Sequence, residues 1–135
     1  MSIVVGYTPT PEGRAALRRA ADECALRKVR LVVVNSQYGG QSYDGDESSR
    51  FDAELEDVRR RVENLGVEVE VRILVRGNGP AEDIIGIADE LGAEFVVIGL
   101  RRRTAVGKLV LGSNSQKVLL GANCPVIAVK ATRES

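Results

Sequence analysis

The chain has 135 residues, 44% of them hydrophobic and 28% charged, which fits one globular domain of the usual ~100–200 residues and excludes a disordered or fibrous chain. Its 19 basic and 19 acidic side chains cancel, so no overall field draws it to nucleic acid, and no apolar run nears the ~20 residues that span a bilayer. The absence of histidine removes the commonest general base, the usual activator of serine or cysteine nucleophiles and the commonest metal ligand.

The N-terminus lacks the basic-then-apolar pattern of a secretion signal, and a cytoplasmic protein is expected. Ile3 to Gly6 is a short run rich in Val and Ile, suited to a strand buried on both faces. Thr10-Pro11 then supplies a hydroxyl N-cap and a proline at the first helical position, and the helix turns Leu17, Ala20, Ala21 and Cys24 inward. Leu31 to Val34 is the second strand. Gln37 to Ser49, with Gly39-Gly40, Asp44, Gly45 and Asp46, reads as one long, polar and mobile loop. Asp44, Asp46 and Glu47 lack the spacing and closing glutamate of a calcium loop and read as solvated.

Phe51, Leu55, Val58, Val62 and Leu65 form one apolar stripe of a second helix, which Gly66 ends. Val67 to Ile73 alternates apolar and polar residues, as a strand at a sheet edge does. Gly79-Pro80 starts a third helix that carries Ile84, Ile85, Ala88 and Leu91 and stops at Gly92. Phe95 to Ile98 is the next strand, Ser113 to about Gly121 a fourth helix, and Val126 to Val129 the last strand. Strand and helix alternate throughout, which predicts an open, doubly wound α/β fold: a five-stranded parallel sheet with helices on both faces. Cys24 and Cys124, each among apolar residues, read as buried free thiols.

In such a sheet, ligands sit beyond the carboxyl ends of the strands, where the strand order reverses. The loops that matter are then Tyr7-Thr8-Pro9-Thr10 and the stretch from Gly99 onward, with Ser36 leaving the second strand beside them. Gly112, Ser113 and Ser115 are small residues at a helix start, where unpaired N–H groups and the positive end of the helix dipole attract a phosphate. The same Gly-Ser pair also starts helices that bind nothing, and Arg101-Arg102-Arg103 is by itself an ordinary solvated run. Gly107-Lys108 is not a Walker loop, because Arg102 stands where its first glycine belongs and Leu109 where Ser or Thr would follow. No nucleophile and base pair is evident, so binding is expected rather than catalysis, and no metal site.

From Ile3 to Lys130 the chain resembles the universal stress protein family. The resemblance rests on Ile3-Val-Val-Gly-Tyr7, Pro11-Glu12-Gly13, Val96-Val97-Ile98-Gly99, Val110-Leu111-Gly112-Ser113 and Cys124-Pro125-Val126. It implies an adenine nucleotide alpha hydrolase-like fold with strand order 3-2-1-4-5, and a regulatory role in stress with little or no catalysis. The family's nucleotide-binding branch carries glycine, two residues, glycine, nine residues, then glycine and Ser or Thr. Gly99, Gly112 and Ser113 fit that pattern, while Arg102 stands at the second glycine and either clashes with phosphate there or replaces backbone donors with its guanidinium. Thr8 occupies the position where the family commonly has a nucleoside-binding aspartate.

By that resemblance the cofactor is ATP, with AMP or ADP as alternatives. Ile98 and Ser36 flank the adenine, Gly99 and Arg101 the ribose and phosphate entry, and Asn114 and Ser115 the phosphates, with Tyr7, Thr8, Arg102, Gly112 and Ser113 completing the cofactor-binding set. The resemblance also implies a homodimer through the apolar edge strand Val126 to Val129. The other reading is a family member without nucleotide binding that acts as a dimeric interaction module.

Overall fold

The computed structural model describes residues 1–36, 45–74, 79–102, 109–110 and 112–131, with backbone alone at 45–48, 102, 109 and 110. The elements alternate: β1 (Ser2–Gly6), α1 (Pro11–Arg27), β2 (Arg30–Ser36), α2 (Gly45–Glu63), β3 (Val69–Leu74), α3 (Pro80–Leu91), β4 (Phe95–Arg102), β5 (Leu109–Val110), α4 (Ser113–Gly121) and β6 (Val126–Lys130). Five strands lie parallel in the spatial order β3-β2-β1-β4-β6. Taken without the two-residue β5, this is the expected order 3-2-1-4-5.

Each face of the sheet buries its own cluster. Ile3, Val5, Leu31, Val33, Phe95 and Val97 meet Leu17, Ala20, Ala21 and Cys24 of α1 and Phe51, Val58 and Val62 of α2. On the other face Val4, Val32, Val34, Val96 and Ile98 meet Ala81, Ile84, Ile87 and Ala88 of α3 and Val118 of α4. Alternate residues of one strand therefore feed opposite cores, which is why these strands read as unbroken Val and Ile runs.

The helix boundaries follow local chemistry. The Thr10 hydroxyl accepts from the Gly13 amide at 3.1 Å and Pro11 opens α1, as expected. Gly79 and Pro80 open α3, and Gly92 closes it in the left-handed conformation at φ 58°. Ser113 to Gly121 is helical as predicted.

Four expectations are corrected. First, α2 begins at Gly45, so the last five residues of the predicted Gln37 to Ser49 loop are helical. The rest of that loop lies outside the described residues. Second, β4 runs past Ile98 to Arg102, and Arg101 and Arg102 pair antiparallel with Val110 and Leu109. The segment after Gly99 thus starts as strand, because paired backbone satisfies its amides better than an open turn. Third, Leu65 follows the last helical residue of α2 and is 49% exposed rather than part of the buried stripe. Fourth, Cys24 is fully buried as expected, but Cys124 is only partly buried beside the edge strand.

The first turn of α1 lies directly on β4. A Cβ placed on Gly99 would come within 2.3 Å of the Glu12 carbonyl oxygen and 2.6 Å of its carbon. Backbone on backbone cannot yield as a flexible side chain can, so this crossing admits only glycine. Gly99→Ala is expected to cost about 2–3 kcal/mol in urea unfolding. Burial and the carboxylates of Glu23 and Glu94 push the Cys24 thiol up to about 12, so it stays protonated and unreactive. In native protein, iodoacetamide should label Cys124 first and reach Cys24 only on unfolding, as mass spectrometry of the modified peptides will read.

Candidate functional site

A cleft of about 340 Å³ opens at the carboxyl ends of β1 and β4. These neighbouring strands are where the order reverses, since β1 leads on to β2 at one side while β4 lies at the other. Its floor is apolar: Ile98, Ile84 and Val118 are 4%, 7% and 1% exposed. Its walls are Gly6 and Thr8 after β1, Glu12 and Gly13 of α1, Pro80 of α3, Gly99 and Arg101 of β4, and Gly112, Ser113, Asn114 and Ser115 of α4.

Three helix N-termini reach this cleft, and they differ. Thr10 caps α1, Pro11 removes one of its donors, and Glu12 stands in its first turn. The third helix starts with Pro80 and carries Glu82 and Asp83 in its first turn. The fourth helix has no side-chain cap, no proline at its start and no acid in its first turn. Its first amides have no partner within the helix, so α4 presents the positive end of its dipole to the cleft. Gly112, not Ser113, is its N-cap, in ordinary extended backbone at φ −65° and ψ 161°, and a Cβ there would meet no described atom beyond its chain neighbours within 4 Å.

Hydrogen bonds hold the polar wall. The Ser115 hydroxyl donates to the Gly99 carbonyl at 3.3 Å, joining α4 to β4. The Thr8 and Thr10 hydroxyls lie 2.8 Å apart, and the Thr10 amide donates to the Thr8 carbonyl. Gly13 is as confined as Gly99, since a Cβ there would lie 2.0 Å from the Thr8 carbonyl oxygen. One cation and one anion face each other at the rim: the Arg101 guanidinium lies 3.9 Å from the Glu12 carboxylate, with Arg101 75% and Glu12 18% exposed.

Eight of the residues singled out from the sequence meet in this cleft: Thr8, Ile98, Gly99, Arg101, Gly112, Ser113, Asn114 and Ser115. Three do not. Tyr7 is 2% exposed in the core, its ring stacked on Phe51 at a centroid distance of 4.6 Å. Residues along a strand alternate between faces, and that places Tyr7 with Ile3 and Val5 under α1 and α2. Ser36 donates to Asp83 at 2.8 Å, between β2 and α3, and is not among the residues lining the cleft. The side chain of Arg102 lies outside the described residues, as do Arg103, Gly107 and Lys108.

The sequence reading missed Gly6, Glu12, Gly13, Pro80, Ile84 and Val118. Ile84 and Val118 were legible only as core positions, because an apolar floor has the same pattern as an apolar core. Glu12 had one signal, an acid in the first turn of the helix that follows β1. Among the described residues no cluster of His, Cys, Asp and Glu is arranged to hold a metal ion, and no helix is long and apolar enough to cross a membrane.

Comparison with known proteins agrees with this architecture. Residues 1–130 match the sequence model of the Universal stress protein family. A universal stress protein of Mycolicibacterium smegmatis is 40% identical over 130 residues, covering 95% of this chain and 96% of its own length. The structure of a universal stress protein from Archaeoglobus fulgidus superposes with a TM-score of 0.75 at 39% identity, covering 96% of this chain and 98% of the other. A structure of the universal stress protein from the same organism in complex with dAMP gives 0.69 at 35% identity, with the same coverage. The chain belongs to the universal stress protein family.

Proposed function

We propose that the cleft between β1 and β4 binds an adenine nucleotide, ATP, ADP or AMP, and that the protein acts in stress regulation with little or no catalysis, in the cytoplasm. The observation that carries this reading is the uncapped first turn of α4 beside an apolar floor. The amides at Gly112 to Ser115 would hold phosphate, and the Ser113 and Asn114 side chains extend that donor set. Ile98, Ile84 and Val118 offer a base the flat apolar surface that small-molecule sites favour. The open space at Gly112 is what close approach of a phosphate requires. A relative at 35% identity, solved with dAMP, supports the adenine class. The chain's lack of histidine removes the commonest general base.

A second reading has one observation in its favour. Thr8 stands where an aspartate is common in the family, and its hydroxyl is bonded to Thr10. A chain without nucleotide binding that works as a dimeric interaction module would carry such a change.

We further propose a two-fold dimer through β6. The opposite edge strand, β3, is guarded by charge: Glu70 pairs with Arg30 at 3.1 Å and Arg72 with Glu90 at 3.1 Å. By contrast β6 is apolar from Val126 to Val129 and only half-buried, an edge that invites a partner strand.

Denaturing the purified protein and chromatographing the supernatant should release adenine nucleotide, and calorimetric titration should show saturable binding. Gly112→Val would meet no described atom beyond its chain neighbours and costs about 1 kcal/mol at the N-cap, yet its branched carbons fill the space of a phosphate. It should weaken binding at least tenfold with little change in Tm; unchanged affinity would place the phosphates elsewhere, and no nucleotide in either assay would favour the interaction module. Sedimentation at micromolar concentration should give a dimer that Ala128→Glu, an exposed position of β6, converts to monomer, and a wild-type monomer would end the dimer proposal.

A further inference from the structure

The same cleft that offers amides to a phosphate is also lined by an acidic residue. Glu12 lines the cleft, and its side chain is only 18% exposed. It is held there by backbone: its own carbonyl is pressed on Gly99, whose carbonyl in turn receives the Ser115 hydroxyl of α4. Glu12, Gly99 and Ser115 are therefore contiguous, and the backbone from which the acid springs is fixed beside the cleft. Its counter-ion, Arg101, is 75% exposed and lies at 3.9 Å, so solvent screens the cation more than the anion.

The charges of the described lining set a limit on the ligand. The α4 N-terminus supplies roughly half a positive charge, while Arg101 and Glu12 oppose each other. That balance suits one phosphate group on the amides of α4. Each further phosphoryl group adds negative charge beside a carboxylate that is itself largely shielded from water, where repulsion is stronger than in bulk solvent.

We infer that Glu12 is a specificity-determining residue that grades nucleotides by their number of phosphates, favouring a nucleoside monophosphate over a triphosphate. The inference rests on the adenine-nucleotide reading of the cleft and narrows it. The test is a set of calorimetric titrations of AMP, ADP and ATP, in EDTA and again in Mg²⁺, on the wild-type protein and on Glu12→Gln. In EDTA the wild type should bind AMP more tightly than ADP, and ADP more tightly than ATP. Glu12→Gln should raise all three affinities, ATP most, and narrow the AMP-to-ATP ratio by about tenfold.

An unchanged ratio in a variant whose Tm shows it folded would refute the role of Glu12 while leaving the nucleotide reading intact. Loss of Mg·ATP affinity in the variant would also refute it, by making Glu12 a cation ligand rather than a repelling group. A wild type that binds none of the three nucleotides would end both the inference and the reading it rests on. Glu12→Asp, which keeps the charge on a shorter arm, should keep the preference for AMP.

Discussion

The contact that organises this molecule is backbone on backbone: the Glu12 carbonyl of α1 against Gly99 of β4. It brings the helix after β1 over the neighbouring strand, beside the carboxyl ends where the sheet reverses its order. The cleft exists because α1 leaves β1 toward one face while α3 and α4 cover the other. Between them the helix N-termini converge at the strand ends. Side chains at Gly99 or Gly13 would push α1 away from this crossing, so these two small residues serve packing before they serve any ligand.

Gly112 is a glycine of a different kind. No described atom beyond its chain neighbours lies within 4 Å of where its Cβ would be, and its backbone is one that any residue adopts. Packing therefore does not demand glycine at that position. Two glycines that look alike in the motif thus answer to different constraints, one to the fold and one to open space at a helix start.

Electrostatics separate the three helix starts in the same way. Prolines and acids occupy the first turns of α1 and α3, whereas α4 begins bare. The cleft is accordingly asymmetric, with a positive end at Gly112 to Ser115 and a carboxylate at Glu12 near the rim. The two sheet edges show a comparable asymmetry, with ion pairs along β3 and apolar residues along β6. Charge placement thus distinguishes surfaces that hydrophobic patterning alone treats as equivalent.

Local signals carried the architecture. Runs of Val and Ile, the Thr10-Pro11 and Gly79-Pro80 starts and the Gly92 stop are short-range chemistry, and they placed the strands, the helices and the strand order through a family resemblance. They also identified most of the cleft, because glycine and serine at a helix start are a local pattern. What remained hidden depends on which side of a strand or helix a residue occupies in three dimensions. Tyr7 adjoins the site in sequence yet faces the core beside Phe51. Ser36 bonds to Asp83, which is 47 residues away. Glu12 belongs to the cleft only because a distant glycine lets its helix settle there. Periodicity and capping are written within a few consecutive residues, whereas the lining of a cleft is set by long-range contacts that only the folded chain brings together.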